Sequence, residues 1–291
     1  ICACLVGSEM CIRDSPRTVT ATLNAAKAQW FGSVTVKYYD KDGKQLTKAP
    51  TEAGTYTVKI DVAQGVGCEA QTDITCDDWK FTINQVPQEL HFTYPTVNKM
   101  YGETSFTNPL KETDIQGTIT YTSSNENVAK VTSNGTVTIV AASTEPVTIT
   151  ARTEGTTNYS SAEATFTLTV AKKGITVSGI TAKDKYYDKT ADATLDYSGV
   201  QLDGKLGSDE LGVTATGAFE DANAGEGKIV EITGLTLTGA AVGNYILLNS
   251  GQQTSTTAAI KKMPLKIVRA NGIKDKDYDG DAGLSLVTVL F

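Results

Sequence analysis

His91 is the single histidine in the 291-residue chain, so any Ser-His-Asp or Cys-His arrangement must use it. It stands beside Phe92 and near Tyr94, and no Gly-x-Ser-x-Gly or similar nucleophile turn occurs in the sequence. The reading is a linker or strand-edge histidine, with no catalytic set and no cofactor. A second candidate is acidic. Asp275, Asp277 and Asp279, followed by Gly280, spell the first half of a calcium loop: carboxylates at positions 1, 3 and 5 and the glycine that permits the turn. Position 12 needs a bidentate glutamate and holds Leu286, and the upstream copy has Tyr186 at position 3 and Lys189 for the glycine. Strand alternation also throws the three aspartates onto one face. A solvated strand opening a module is preferred, with no metal site. Asp40 to Gly43 is a shorter case of the same ambiguity and reads as a hairpin.

Cys68 and Cys76 are close enough in sequence to staple the ends of a loop, a bridge that would add about 2 to 3 kcal/mol in an oxidising compartment. The alternative is two free thiols. Zinc wants four ligands, and no other cysteine or histidine lies near in sequence. Tyr186, Tyr187, Tyr197 and Tyr245 can form an aromatic platform for sugar rings, or cover a core edge with their hydroxyls in water, the commoner use. Gly199 to Gly207 and Gly225 to Gly227 lack the Gly-Lys-Ser/Thr ending of a phosphate loop and read as long connections.

Such residues need elements to position them, and the composition says which. The 44 threonines favour pleated strands, because branching at Cβ restricts χ1. With 40% hydrophobic and 20% charged residues the chain is ordinary for a folded protein. A net charge of −7 with no basic run gives no grip on phosphate backbones or anionic lipid, so nucleic acid and membrane insertion are excluded as expectations.

Ile1 to Ser15 holds Cys2, Cys4 and Cys11 and shows no alternation. Gly7, Ser8 and Glu9 break the apolar stretch that a secretory signal would need. The string from Val6 to Ser15 resembles translated sequencing adapter and makes residues 1–15 read as a non-native segment, so Cys2, Cys4 and Cys11 are no cluster. Gly283 to Phe291 stops inside an alternating run, and the chain is expected to be a fragment.

Repeats set the organisation. Ile180 to Asp188 recurs as Asn271 to Asp279, and Trp79 to Ile83, Phe166 to Val170 and Thr257 to Ile260 each close an alternating run before a short polar link. Modules are expected at 16–86, 87–172 and 173–262, with a truncated fourth at 263–291, each near the size of a small β-sandwich. Period-two patterns predict strands at Val34 to Tyr38, Thr55 to Val62, Thr118 to Tyr121, Val128 to Val131, Thr136 to Val140, Val147 to Ala151, Gly174 to Ile180, Ile229 to Thr238 and Tyr245 to Leu248. Asp42-Gly43 and Asn134-Gly135 mark tight turns. Only Val19 to Phe31 approaches helical spacing. The fold class is all-β, tandem Ig-like sandwich modules in a beads-on-a-string array, which links of a few residues would make a semi-rigid rod.

On these residues a family resemblance rests. Tyr121 to Asn125, Val128 to Val131, Asn134 to Ile139 and Val147 to Ala151 make residues 95–170 resemble a bacterial immunoglobulin-like repeat, and Tyr101-Gly102-Glu103 resembles the opening of an MBG domain of YGX type. Residues 175–262 resemble the YDG domain, named for a Tyr-Asp-Gly triplet that Tyr278-Asp279-Gly280 matches and Tyr187-Asp188-Lys189 departs from at the glycine. Residues 34–83 are similar to another MBG-like module. The resemblance implies a non-enzymatic stalk or adhesive segment of an exported bacterial surface protein, extracellular and monomeric, with an unidentified glycan or protein ligand. A module binding such a ligand through its loop ends, or an accessory region of a secreted glycosidase, is the alternative. Lysine-to-asparagine crosslinks within modules are compatible with this setting, at no position the sequence indicates.

Overall fold

The computed structural model describes residues 30–75 and 79–264. The expected helix lies outside them apart from Trp30, in 3-10 conformation, and Phe31, and a 3-10 turn stands at Val242–Asn244. The fold is all-β. The chain divides into two compact units, Ile1–Ala171 and Lys172–Phe291.

In the first module, strands β1 (Val34–Tyr39), β2 (Gln45–Leu46), β3 (Gly54–Val62), β4 (Gln71–Ile74) and β5 (Lys80–Ile83) form one sheet of order β2-β1-β3-β4, with β5 pairing the start of β3. Alternation decides which face is inside. Tyr56, Val58, Ile60 and Val62 are buried along β3, and they join Tyr38 and Trp79 in or beside the core. Each such aliphatic side chain contributes roughly 1.5 to 3 kcal/mol on burial. The Asp40 turn is a hairpin, as its residues predict: Asp40 Oδ1 accepts the N–H groups of Asp42 and Lys44 at 3.0 and 2.9 Å, and Gly43 supplies φ +79°.

The second module runs through β6 (Thr96–Met100), β7 (Phe106–Thr107), β8 (Ile119–Ser123), β9 (Ala129–Val131), β10 (Thr136–Ile139), β11 (Val147–Thr153) and β12 (Ala162–Ala171). Two sheets, β7-β10-β9 and β6-β12-β11-β8, enclose a core of Phe92, Val137, Ile149, Phe166, Leu168 and Val170. Phe92 and Phe166 meet edge to face with ring centroids 4.8 Å apart.

In the third module the strands are β13 (Lys173–Ser178), β14 (Thr181–Ala182), β15 (Lys185–Tyr186), β16 (Asp192–Ala193), β17 (Leu195–Asp196), β18 (Gln201–Asp203), β19 (Gly212–Phe219), β20 (Gly225–Thr238), β21 (Tyr245–Leu247) and β22 (Ser255–Lys261). They form sheets β18-β13-β21, β14-β17 and β15-β22-β20-β19-β16. The chain leaves β13 for β14 at Gly179, whose φ is +79° and where a Cβ would come within 2.3 Å of the Gly199 carbonyl, so only glycine fits. Two expectations need correction. Gly199 to Gly207 is no plain connection, because Gln201–Asp203 pairs with β13; and Gly225 to Gly227 opens β20, with a register shift before Lys228. Glycine hid β18 and the first residues of β20 by lowering the local strand signal.

The threonines find a use on the outer faces. Thr55 pairs with Thr82 at 3.2 Å and Thr214 with Thr236 at 2.8 Å, each a hydroxyl pair across neighbouring strands, and Ser105, just before β7, pairs with Thr138 of β10 at 2.9 Å.

Candidate functional site

Two places gather the residues that the sequence singled out. The first lies where the first module passes into the second. Val86 makes a parallel bridge with Tyr159: its N–H donates to Asn158 O at 2.8 Å, and Ser160 N–H donates to Val86 O at 3.0 Å. Gln85 Nε2 donates to the carbonyls of Thr156 and Thr157, and Asn158 Oδ1 accepts the Ala53 N–H from the first module at 2.8 Å. The loop that receives them turns at Gly155, where φ is +77° and a Cβ would lie 2.4 Å from Tyr159 O.

His91 follows directly. Glu112 Oε2 accepts its backbone N–H at 2.7 Å, and Glu112 Oε1 lies 2.6 Å from ring Nδ1. Burial pushes the Glu112 carboxyl up, but the ring and backbone donors of His91 outweigh it and leave the group below the usual range. Both carboxylate oxygens are thus engaged in holding a strand-edge histidine. Beside the pair is an open depression of about 460 Å³ whose lining includes Gln88, Glu89, Glu112, Asp114 and Tyr159.

The second place is the Tyr187-Asp188-Lys189 turn. Asp188 Oδ1 accepts the N–H and the hydroxyl of Thr190, each at 2.9 Å, and meets Lys185 Nζ at 2.9 Å. The Lys185 ammonium, with the Thr190 donors, holds the carboxyl at about 2. Lys189 then takes φ +70°, the left-handed region that favours glycine, at the position where the triplet has its glycine. The triplet is therefore the recipe for a turn: an aspartate to bond its own backbone two residues on, then a residue that can go left-handed. Asp184, the other acid of the repeat, accepts the Ala259 N–H at 2.9 Å and pairs with Lys261 at 2.9 Å. Protein donors occupy both carboxylates, and among the described residues no group of three or more His, Cys, Asp or Glu side chains is placed to hold a metal ion. The acidic run Asp275, Asp277 and Asp279 lies outside the described residues.

The four tyrosines separate. Tyr186 and Tyr187 are exposed, whereas Tyr245 is 2% exposed. The Tyr245 hydroxyl donates to Asp209 at 2.5 Å and accepts the Leu206 N–H, and the Tyr197 hydroxyl exchanges hydrogen bonds with the Ala215 main chain. Those two hydroxyls are bonded within the protein rather than wet, because each phenol reaches past the core edge to a loop or strand that needs a partner. Tyr197 also lines an open depression of about 390 Å³ with Leu202, Leu211, Val213 and Thr238. Cys68 is a half-buried thiol that donates to Trp30 O at 3.1 Å, and the Cys68–Cys76 pairing falls on Cys76, outside the described residues.

Sequence reasoning missed Lys228. This lysine is buried and meets Asp221 at 2.8 Å and Glu220 at 3.6 Å. Asp221 raises its pKa and is itself lowered by it, so the pair is held ionised, whereas amide formation needs a neutral amine. The signal for it was the break in alternation at Gly225 to Gly227. No helix among the described residues is long and apolar enough to cross a membrane.

Residues 171–257, which span most of the third module, match the YDG domain family. No curated protein matches the chain. Among solved structures, Drosophila N-cadherin EC1-3 is 10% identical with a TM-score of 0.26, covering 82% of this chain and 96% of its own. The N-terminal four Ig domains of Dscam1 isoform 6.9 are 10% identical with a TM-score of 0.28, covering 87% and 70%. A SusE-like surface-located polysaccharide-binding protein from the Bacteroides thetaiotaomicron heparin utilisation locus is 10% identical with a TM-score of 0.21, covering 80% and 54%. Likeness at that level carries no functional argument.

Proposed function

We propose that this chain is a non-enzymatic stalk or adhesive segment of an exported bacterial surface protein, spacing or presenting a binding surface outside the cell. The observation that carries the reading is the passage between the first and second modules. Residues Gln85 to Gln88, which a loose tether would leave in water, are bonded to the Thr156 to Ser160 loop through main chain and side chains alike. Ordering a link costs roughly 1 to 2 kcal/mol per residue in backbone entropy, an expense that makes sense where the link must transmit position. The YDG domain at 171–257 supports the same reading through the surface proteins in which the resemblance places such modules.

The test is display. The full chain is placed between a cell-surface anchor and an epitope tag, and the tagged cells are offered to antibody-coated beads and to glycan- and protein-coated surfaces. A spacer raises bead capture over an anchor-tag fusion without the chain; an adhesive segment gives cell attachment to a coat. Cells that gain neither refute the proposal, and turnover of a polysaccharide by the purified chain refutes its non-enzymatic part.

A further inference from the structure

The second module is opened and closed by segments that run side by side in the same direction. Val86 bridges Tyr159 in parallel, and Thr96, Val97, Asn98, Lys99 and Met100 pair in unbroken parallel register with Thr167, Leu168, Thr169, Val170 and Ala171. The ladder is extended at both ends, since Thr167 N–H donates to Pro95 O at 3.0 Å and Tyr101 N–H donates to Ala171 O at 2.9 Å. Side chains add to it: Gln88 Nε2 donates to Ser160 O at 2.8 Å, and the Gln88 N–H donates to Ser160 Oγ. The first and last parts of the module are therefore joined in two stretches, Gln85 to Gln88 and Pro95 to Tyr101, between which Phe92 bridges Leu110.

Geometry fixes what tension does to such a joint. Pulling the chain by its two ends draws β6 backward and β12 forward along their common axis. Evenly spaced parallel bonds then share the load and must yield together, whereas strands pulled apart from one end give way bond by bond. Resistance to force follows the unfolding barrier rather than the equilibrium stability, so topology matters here beyond the net free energy.

We propose that the second module is a shear clamp that carries tension along the chain. This rests on the structural reading above, in which the segment stands between two attachments. The third module has the same arrangement in divided form. Lys173, Gly174 and Ile175 pair in parallel with Tyr245, Ile246 and Leu247, Lys185 and Tyr186 pair in parallel with Ile260 and Lys261, and main-chain bonds from Gln253 N–H to Val177 O and Tyr187 N–H to Lys261 O stand beside side-chain links.

Single-molecule stretching of the full chain, held at its two ends, tests the proposal. Unfolding the second or third module releases about 90 residues each, roughly 30 nm at 3.3 to 3.6 Å per residue, so length alone does not separate them. A disulfide between Asn98→Cys and Thr169→Cys, which are register partners, does. It withholds most of the second module's length until reductant is added, and so marks that module's event. The expected result is an unfolding force for the second module about 1.7-fold above the third, in proportion to a longest unbroken parallel run of five pairs against three. Moving one handle from the N-terminus to an unnatural side chain at Glu145 reverses the geometry, because Val147 and Leu168 are partners at one end of the antiparallel β11–β12 pair. The force should then fall by about half or more with denaturant stability unchanged. Equal forces in the two directions, or a second module that yields no later than the third, overturn the clamp. Neither result touches the display test, so failure of the clamp and failure of the stalk or adhesive reading are told apart.

Discussion

The second and third modules meet one requirement in two ways. Each must fix the segment that opens it against the segment that closes it. The second does so with main chain, in five consecutive register pairs between β6 and β12. The third splits its parallel pairs into three of β13 with β21 and two of β15 with β22, and adds side chains: Gln253 accepts the Ile180 N–H at 2.8 Å and donates to Ile180 O at 2.7 Å, Gln252 spans Val177 N–H and Ile175 O, and Asp184 takes the Ala259 N–H. A primary amide offers a donor and an acceptor in one plane, as a peptide does, so it can stand in for a strand residue. The difference teaches where each module is sensitive to sequence. A backbone ladder tolerates most side chains; an amide acting as backbone tolerates almost none.

The sharpest way to break this comparison is Gln253→Ala. It strips both partners from the main chain of Ile180, a residue 1% exposed, and should cost about 2 to 4 kcal/mol in denaturant unfolding of the full chain. Asn98→Ala and Thr169→Ala, in the ladder of the second module, should each stay within about 0.5 kcal/mol. Similar losses at all three positions would erase the distinction. A gain of about 1 kcal/mol is expected for Lys189→Gly, which removes the left-handed penalty at φ +70° and restores the triplet; a loss would mean that the lysine side chain contributes more than its backbone costs.

Acid should also tell the two modules apart, with a smaller effect. In the third, donors hold Asp184, Asp188, Asp196 and Asp221 below the usual carboxylate range, Asp188 at about 2; in the second, Glu112 is so held. A carboxyl depressed on folding stabilises the fold above its unfolded value of about 3.9, and that contribution is lost as the pH falls through the folded value. Between about pH 4 and pH 2 the third module should therefore lose stability faster than the second. Residue-resolved hydrogen exchange across that range measures both, and Asp188→Asn should flatten the third module's decline.

How much of this the sequence discloses depends on how local each feature is. Alternation at Tyr56, Val58, Ile60 and Val62 names a strand and its buried face, and Asp42-Gly43 names a turn, because neighbours a few residues apart decide them. The parallel run of β6 with β12 joins segments some 70 residues apart in sequence, and nothing in either stretch names the other. Gln252 and Gln253 look like loop residues for the same reason. At the candidate sites, the repeat pointed to Asp184 and Asp188 but not to their partners Lys261 and Thr190. The grip of Glu112 on His91 depends on a pairing that no spacing rule encodes.

The hydroxyl pairs Thr55–Thr82, Ser105–Thr138 and Thr214–Thr236 bear on the surroundings such a chain can tolerate. Dissolved ions screen attraction between charges within about 10 Å at 0.1 M, but they have nothing to screen between two uncharged hydroxyls. An outer face tied in this way keeps its strands in register in fresh water and in brine alike, without waiting on any change in the medium.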